Sequence, residues 1–125
     1  MVKTKPHIYV VDDNESVREA LCRLLKSAGF EVETFNSAQS FLDSVPRDTQ
    51  GILILDIRMP DMDGFELQKI LNERHSPLHI IFITAHADIS DRDHAFAHGA
   101  DGFLIKPFNE QSLLDLISSI TAKED

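Results

Sequence analysis

Residues 52–64 read Ile52-Leu53-Ile54-Leu55-Asp56-Ile57-Arg58-Met59-Pro60-Asp61-Met62-Asp63-Gly64. Four aliphatic residues run directly into a carboxylate, with no alternation of polar and apolar positions. A strand covered on both faces has this pattern, and such strands belong to parallel sheets lying between helices. A charged group at the end of the run reaches the mouth of the sheet, where α/β proteins place their ligands. Pro60 and Gly64 then frame a loop before the next helix. A single strand closed by a solvated aspartate would look the same, so the case rests on how the other strands end.

Upstream, Ile8-Tyr9-Val10-Val11 is a short strand closed by Asp12-Asp13, and Asn14 is placed to cap a helix. Val17, Ala20, Leu21, Leu24, Leu25 and Ala28 follow helical spacing, and Gly29 suits the left-handed residue after it. From Phe30 to Phe35 apolar and charged residues alternate, which predicts an edge strand. Ser37 opens a short helix that Pro46 stops.

Downstream, Asp63 and Glu66 are spaced as a capping pair for a helix carrying Phe65, Leu67, Ile70 and Leu71. His79-Ile80-Ile81-Phe82-Ile83-Thr84 is a fourth strand, and residues 88–98 form a weakly apolar helix ended by Gly99. Gly102-Phe103-Leu104-Ile105 leads into Lys106-Pro107, and a last helix covers about residues 110–120. Five strand–helix repeats imply one α/β domain over residues 1–125, a doubly wound, flavodoxin-like parallel sheet with helices on both faces. With the second strand at an edge the order is 2-1-3-4-5, and strands one and three flank the switch point.

Composition narrows the function. A chain of 125 residues with 42% hydrophobic and 26% charged residues is that of a globular domain with a real core. No apolar run approaches the ~20 residues that span a bilayer, and the first residues lack a secretory signal pattern. One cysteine, Cys22, cannot form an internal disulfide, so a reducing cytoplasm is the expected location. A net charge of −9 with scattered basic residues argues against direct nucleic-acid contact.

In the 2-1-3-4-5 order, Asp12, Asp13 and Asp56 converge on one crevice, and Thr84 and Lys106 arrive from the next two strands. Two like charges ~4 Å apart cost about 4 kcal/mol at an effective dielectric near 20. Without a cation, one of the carboxyls is therefore expected to titrate above an ordinary aspartate. An all-oxygen cluster suits a hard divalent ion such as magnesium, or manganese. Asp13, Asp56 and the backbone carbonyl of Arg58 are the expected ligands, with Asp12 acting through a water. A carboxylate, an ammonium group and a hydroxyl around such an ion are the components of phosphoryl transfer. Asp56 would attack, Lys106 would neutralise the phosphoryl oxygens, and Thr84 would donate a hydrogen bond. Ala85 leaves room beside Thr84, and Pro107 fixes the backbone that aims Lys106.

Asp12-Asp13, Asp56 with Met59-Pro60 and Asp63-Gly64, Thr84-Ala85, and Lys106-Pro107 together resemble the receiver domain of two-component response regulators. The match runs in order over nearly the whole chain. Arg58, His86, the stretch Ala97-His98-Gly99-Ala100-Asp101-Gly102-Phe103 and Lys106-Pro107-Phe108 resemble its FixJ-like branch. The resemblance implies that a sensor histidine kinase passes a phosphoryl group to Asp56 in a magnesium-dependent reaction. Thr84 then moves toward the phosphoryl oxygens and Phe103 turns inward. It further implies that the surface of the fourth helix, fifth strand and fifth helix controls dimerisation or an output domain. Arg58 and His86 would line the entrance and tune how fast water removes the phosphoryl group. The implied output domain is a DNA-binding helix-turn-helix partner following residue 125, with a free-standing receiver as the alternative. No turnover beyond self-phosphotransfer and self-dephosphorylation is expected.

Three other readings are weaker. A haloacid-dehalogenase-type phosphohydrolase would carry an acid two residues after its nucleophile, where this chain has Arg58. A calcium loop ending in Gly64 would start at Met59 rather than at an aspartate. His94 and His98, with Asp91 one turn earlier, have metal-ligand spacing, but surface histidines on a polar helix explain them more simply.

Overall fold

The computed structural model describes residues 5–85 and 88–123. Strand and helix alternate as β1 (Ile8–Val11), α1 (Glu15–Ser27), β2 (Val32–Phe35), α2 (Ala38–Ser44) and β3 (Ile52–Leu55). They continue as α3 (Gly64–Glu73), β4 (His79–Thr84), α4 (Ile89–Ala97), β5 (Gly102–Ile105) and α5 (Glu110–Lys123). All strand pairs are parallel, in the expected order β2-β1-β3-β4-β5.

The unbroken aliphatic runs have a direct cause. Successive strand residues point to opposite faces, and both faces are covered. Ile8, Val10, Ile52, Ile54, Ile81 and Ile83 pack with Leu21 and Leu25 of α1 and with Leu113, Ile117 and Ile120 of α5. Tyr9, Val11, Leu53, Leu55, Ile80 and Phe82 pack with Phe41 of α2, Leu67 and Leu71 of α3 and Ala95 of α4. All four residues of β3 are at most 1% exposed. β2 lies at the edge, and its polar Glu33 and Thr34 are exposed.

The helix ends follow their capping chemistry. The Asn14 side chain accepts a bond from the amide of Val17, and Gly29 adopts a φ of 93° after α1. Phe30 belongs to this turn rather than to β2, because its amide donates to the carbonyl of Leu25. Asp63 and Glu66 form the expected reciprocal capping box on α3. A second such box, Asp88 with Asp91, opens α4. Only Ala95 of α4 is buried, and Ile89 is 80% exposed.

Candidate functional site

The register of the strands builds the site. Val11 pairs with Leu55, so Asp12 and Asp56 leave the sheet at the same level. The amide of Asp56 donates to the carbonyl of Val11, which locks the two strand ends together. Thr84 pairs with Ile105, and the amide of Lys106 donates to the carbonyl of Thr84. Four strand ends therefore converge on one crevice, as the strand order requires.

Asp12 and Asp56 are 3% and 7% exposed, Thr84 is fully buried, and Asp13 stands exposed at the rim. Carboxylate oxygens of Asp12, Asp13 and Asp56 lie within 4.8 Å of one another. This is the only set of three potential metal ligands so gathered among the described residues. The Lys106 ammonium sits 2.8 Å from Asp12 Oδ2 and 3.7 Å from Asp56 Oδ2. Asp12 is further fixed by the amide of Asn14, which donates to its Oδ1, and by Arg18, which donates to its backbone carbonyl.

Asp56 is less well served. Its Oδ1 is buried and makes no hydrogen bond among the described residues. Burial, reinforced by the negative charge of Asp12, pushes its carboxyl above the usual carboxylate range. Lys106 and the backbone amide of Arg58 oppose that shift without cancelling it. A buried, unpaired carboxylate oxygen in a cluster of acids is a strained acceptor, and a bound cation would relieve it. The donor set, all oxygen and open to solvent at Asp13, fits a hard divalent ion that keeps several waters.

The loop after Asp56 is positioned by Gly64. A Cβ there would collide with the backbone carbonyl of Asp56, and the Gly64 amide donates to the carbonyl of Ile57 at 2.8 Å. Only glycine lets α3 begin this close to the end of β3.

The other expected residues lie around the crevice. Ala85 is exposed directly after β4, and Pro107 follows Lys106 through a cis peptide bond. Phe103 is half-buried on β5, its ring 6.4 Å from that of Phe82. His86 lies outside the described residues. The Arg58 guanidinium is exposed and reaches Asp91 of α4, with Nη2 3.2 Å from Oδ2. That ion pair and the Arg18 bond to Asp12 leave no pattern in the sequence, since each joins a side chain to a site fixed by tertiary packing.

His94 and His98 form no metal site with Asp91. Their rings stack 4.2 Å apart, His98 Nδ1 meets the carbonyl of His94, and Asp91 is taken up by Arg58. Gln68 and Asn72 of α3 bond to backbone carbonyls at the end of α4, a clamp not foreseen from sequence. No helix among the described residues is long and apolar enough to cross a membrane.

Comparison with known proteins agrees with this geometry. Residues 8–118 match the family model described as the response regulator receiver domain. The chain is 44% identical over 116 residues to the transcriptional regulatory protein FixJ of Bradyrhizobium diazoefficiens, covering 93% of this chain and 57% of that protein. It is 46% identical over 110 residues to the response regulator protein TodT of Pseudomonas putida, covering 88% of this chain and 48% of that protein. The solved structure of the response regulator StyR superposes with a TM-score of 0.86 at 49% identity, over 97% of this chain and 63% of that one. The chain spans about half the length of the curated relatives it matches. A five-stranded sheet in the 2-1-3-4-5 order, an acid-lined crevice at its mouth and a family match over nearly all of the chain leave no support for a haloacid dehalogenase, and the chain belongs to the response regulator receiver domain family.

Proposed function

We propose that this domain is a phosphoacceptor switch in which Asp56 takes a phosphoryl group from a phosphohistidine of a sensor kinase. The observation that carries the reading is the buried Oδ1 of Asp56, unpaired and set in a carboxylate cluster with one ammonium group beside it. An Asp56 oxygen forms the new bond to phosphorus, the phosphorus–nitrogen bond to the kinase imidazole breaks, and the imidazole leaves with the electron pair. Lys106 lies close enough to both carboxylates to follow the charge as it moves onto the phosphoryl oxygens. The hydroxyl of Thr84, at the end of the adjacent strand, would donate to one of those oxygens. Ala85 offers no bulk against the incoming group, and Pro107 sets the direction of the Lys106 backbone.

Asp13, Asp56 and the Arg58 carbonyl would hold magnesium or manganese, with Asp12 orienting a bound water. The ion supplies positive charge that offsets both the carboxylates and the phosphoryl oxygens. The new −2 charge biases α4 and β5, with Phe103 turning inward. The exposed Ile89 and Ile105 on that side support a role for the α4–β5–α5 face in dimerisation or in control of an output domain. Relatives about twice as long, one of them named a transcriptional regulatory protein, support an output domain that regulates transcription. The domain itself would work in the cytoplasm, contact no nucleic acid, and turn over nothing beyond its own phosphoryl group.

Acetyl phosphate with magnesium tests the acceptor. Mass spectrometry should show one phosphoryl group on the wild-type chain and none on Asp56→Asn. Modification retained in Asp56→Asn but lost in Asp12→Asn would move the acceptor to Asp12 and overturn the assignment.

A further inference from the structure

Besides the buried Ala95 and the Phe65–His94 ring contact in its middle, α4 is attached in different ways at its two ends. At its C-terminal end the carboxamide of Gln68, 1% exposed, donates to the carbonyls of Ala95 and His98, and Asn72 donates to His98 as well. At its N-terminal end the Arg58 guanidinium reaches Asp91, the residue that closes the capping box. The Arg58 side chain is 64% exposed and that of Asp91 only 16%. Arg58 is therefore the movable partner, and Asp91 is fixed in place by the amide of Asp88.

Arg58 also sits two residues beyond Asp56, on the loop that Gly64 holds against the strand end. An exposed ion pair contributes little, because solvent screens it and two long side chains lose freedom. A phosphoryl dianion with three strong acceptor oxygens competes well for a guanidinium, which binds phosphate in a two-pronged way. Arg58 thus has two possible anions, one on α4 and one that exists only while Asp56 is phosphorylated.

Resting on the assignment of Asp56 as acceptor, we infer that Asp91 is a positioning residue for the phosphoryl site: it holds Arg58 away from Asp56, and Arg58 leaves it for the phosphoryl oxygens. The exchange has two results. A guanidinium over the phosphoryl group obstructs the water whose oxygen would bond to phosphorus as the bond to Asp56 breaks, releasing the Asp56 carboxylate and inorganic phosphate. It also frees the N-terminal end of α4, which stays tethered at the Gln68–Asn72 end and turns about it.

The test is the decay of the phosphoryl group after acetyl phosphate is removed, followed by intact mass. Asp91→Asn keeps an oxygen for the capping box but loses the charge that holds Arg58. Its phosphoryl lifetime should lengthen by about threefold, the scale of one exposed ion pair. Arg58→Ala should shorten the lifetime, and Asp91→Asn should add nothing in the Arg58→Ala background. Asp91→Glu, which restores the charge, should return the lifetime toward the wild-type value. An unchanged lifetime in Asp91→Asn, or an equal effect with and without Arg58, overturns the inference while leaving Asp56 as acceptor. A wild-type chain that takes up no phosphoryl group at all would overturn both.

Discussion

Helices α3 and α4 lie side by side on the same face of the sheet and both begin with a capping box, yet they are secured differently. α3 buries Gly64, Leu67, Gln68 and Leu71, whereas α4 buries Ala95 alone. The first is anchored by apolar area, the second by hydrogen bonds to its neighbour and by one ion pair. Regions with few buried apolar contacts open at lower free energy than the core. The contrast teaches that a firmly packed helix and a lightly packed one can be built on one face from the same local signals.

The comparison can be attacked at three strengths. Leu67→Ala removes a fully buried side chain of α3 and should cost about 2–5 kcal/mol in urea unfolding. A loss under 1 kcal/mol would mean that α3 is not the anchored member of the pair. Gln68→Ala should cost about 1–3 kcal/mol and raise amide exchange in α4 far more than in α3. Equal changes in both helices would erase the distinction.

The mildest effect concerns acid. The Ser90 hydroxyl, followed by the amide of Asp91, holds the Asp88 carboxyl below the usual carboxylate range. A depressed folded value means that the cap contributes fully above the unfolded pKa and is lost as pH falls through the folded one. The Asp91 amide resonance should therefore move only at pH below that of ordinary aspartates, and movement within the ordinary range would remove the distinction.

Much of this architecture is legible in the sequence because its causes are local. The run Ile52–Leu55, repeated in kind at Ile8–Val11 and His79–Thr84, suits strands covered on both sides, and Asp12, Asp56, Thr84 and Lys106 are visible because each ends or follows such a run. The Asp63–Glu66 box is visible for the same reason, since both partners lie within one turn. What escapes is contact between distant polar groups. Arg58 and Asp91 are 33 residues apart, and Gln68 reaches carbonyls 27 and 30 residues away, with no periodicity to announce either. Nor does spacing tell that Lys106 sits nearer to Asp12 than to Asp56, a matter of side-chain rotamers after docking. β2 starts later than its alternating pattern suggests because the Phe30 amide is claimed by the end of α1.

The sheet also acts as a partition. Leu21, Leu25, Leu113 and Ile117 fill one compartment and Phe41, Leu67, Leu71 and Ala95 the other, with the strands as the wall between them. Repacking beneath α4 need not disturb the seam between α1 and α5, and substitutions on opposite sides should combine additively. A protein organised this way can repack one compartment while the other keeps its shape.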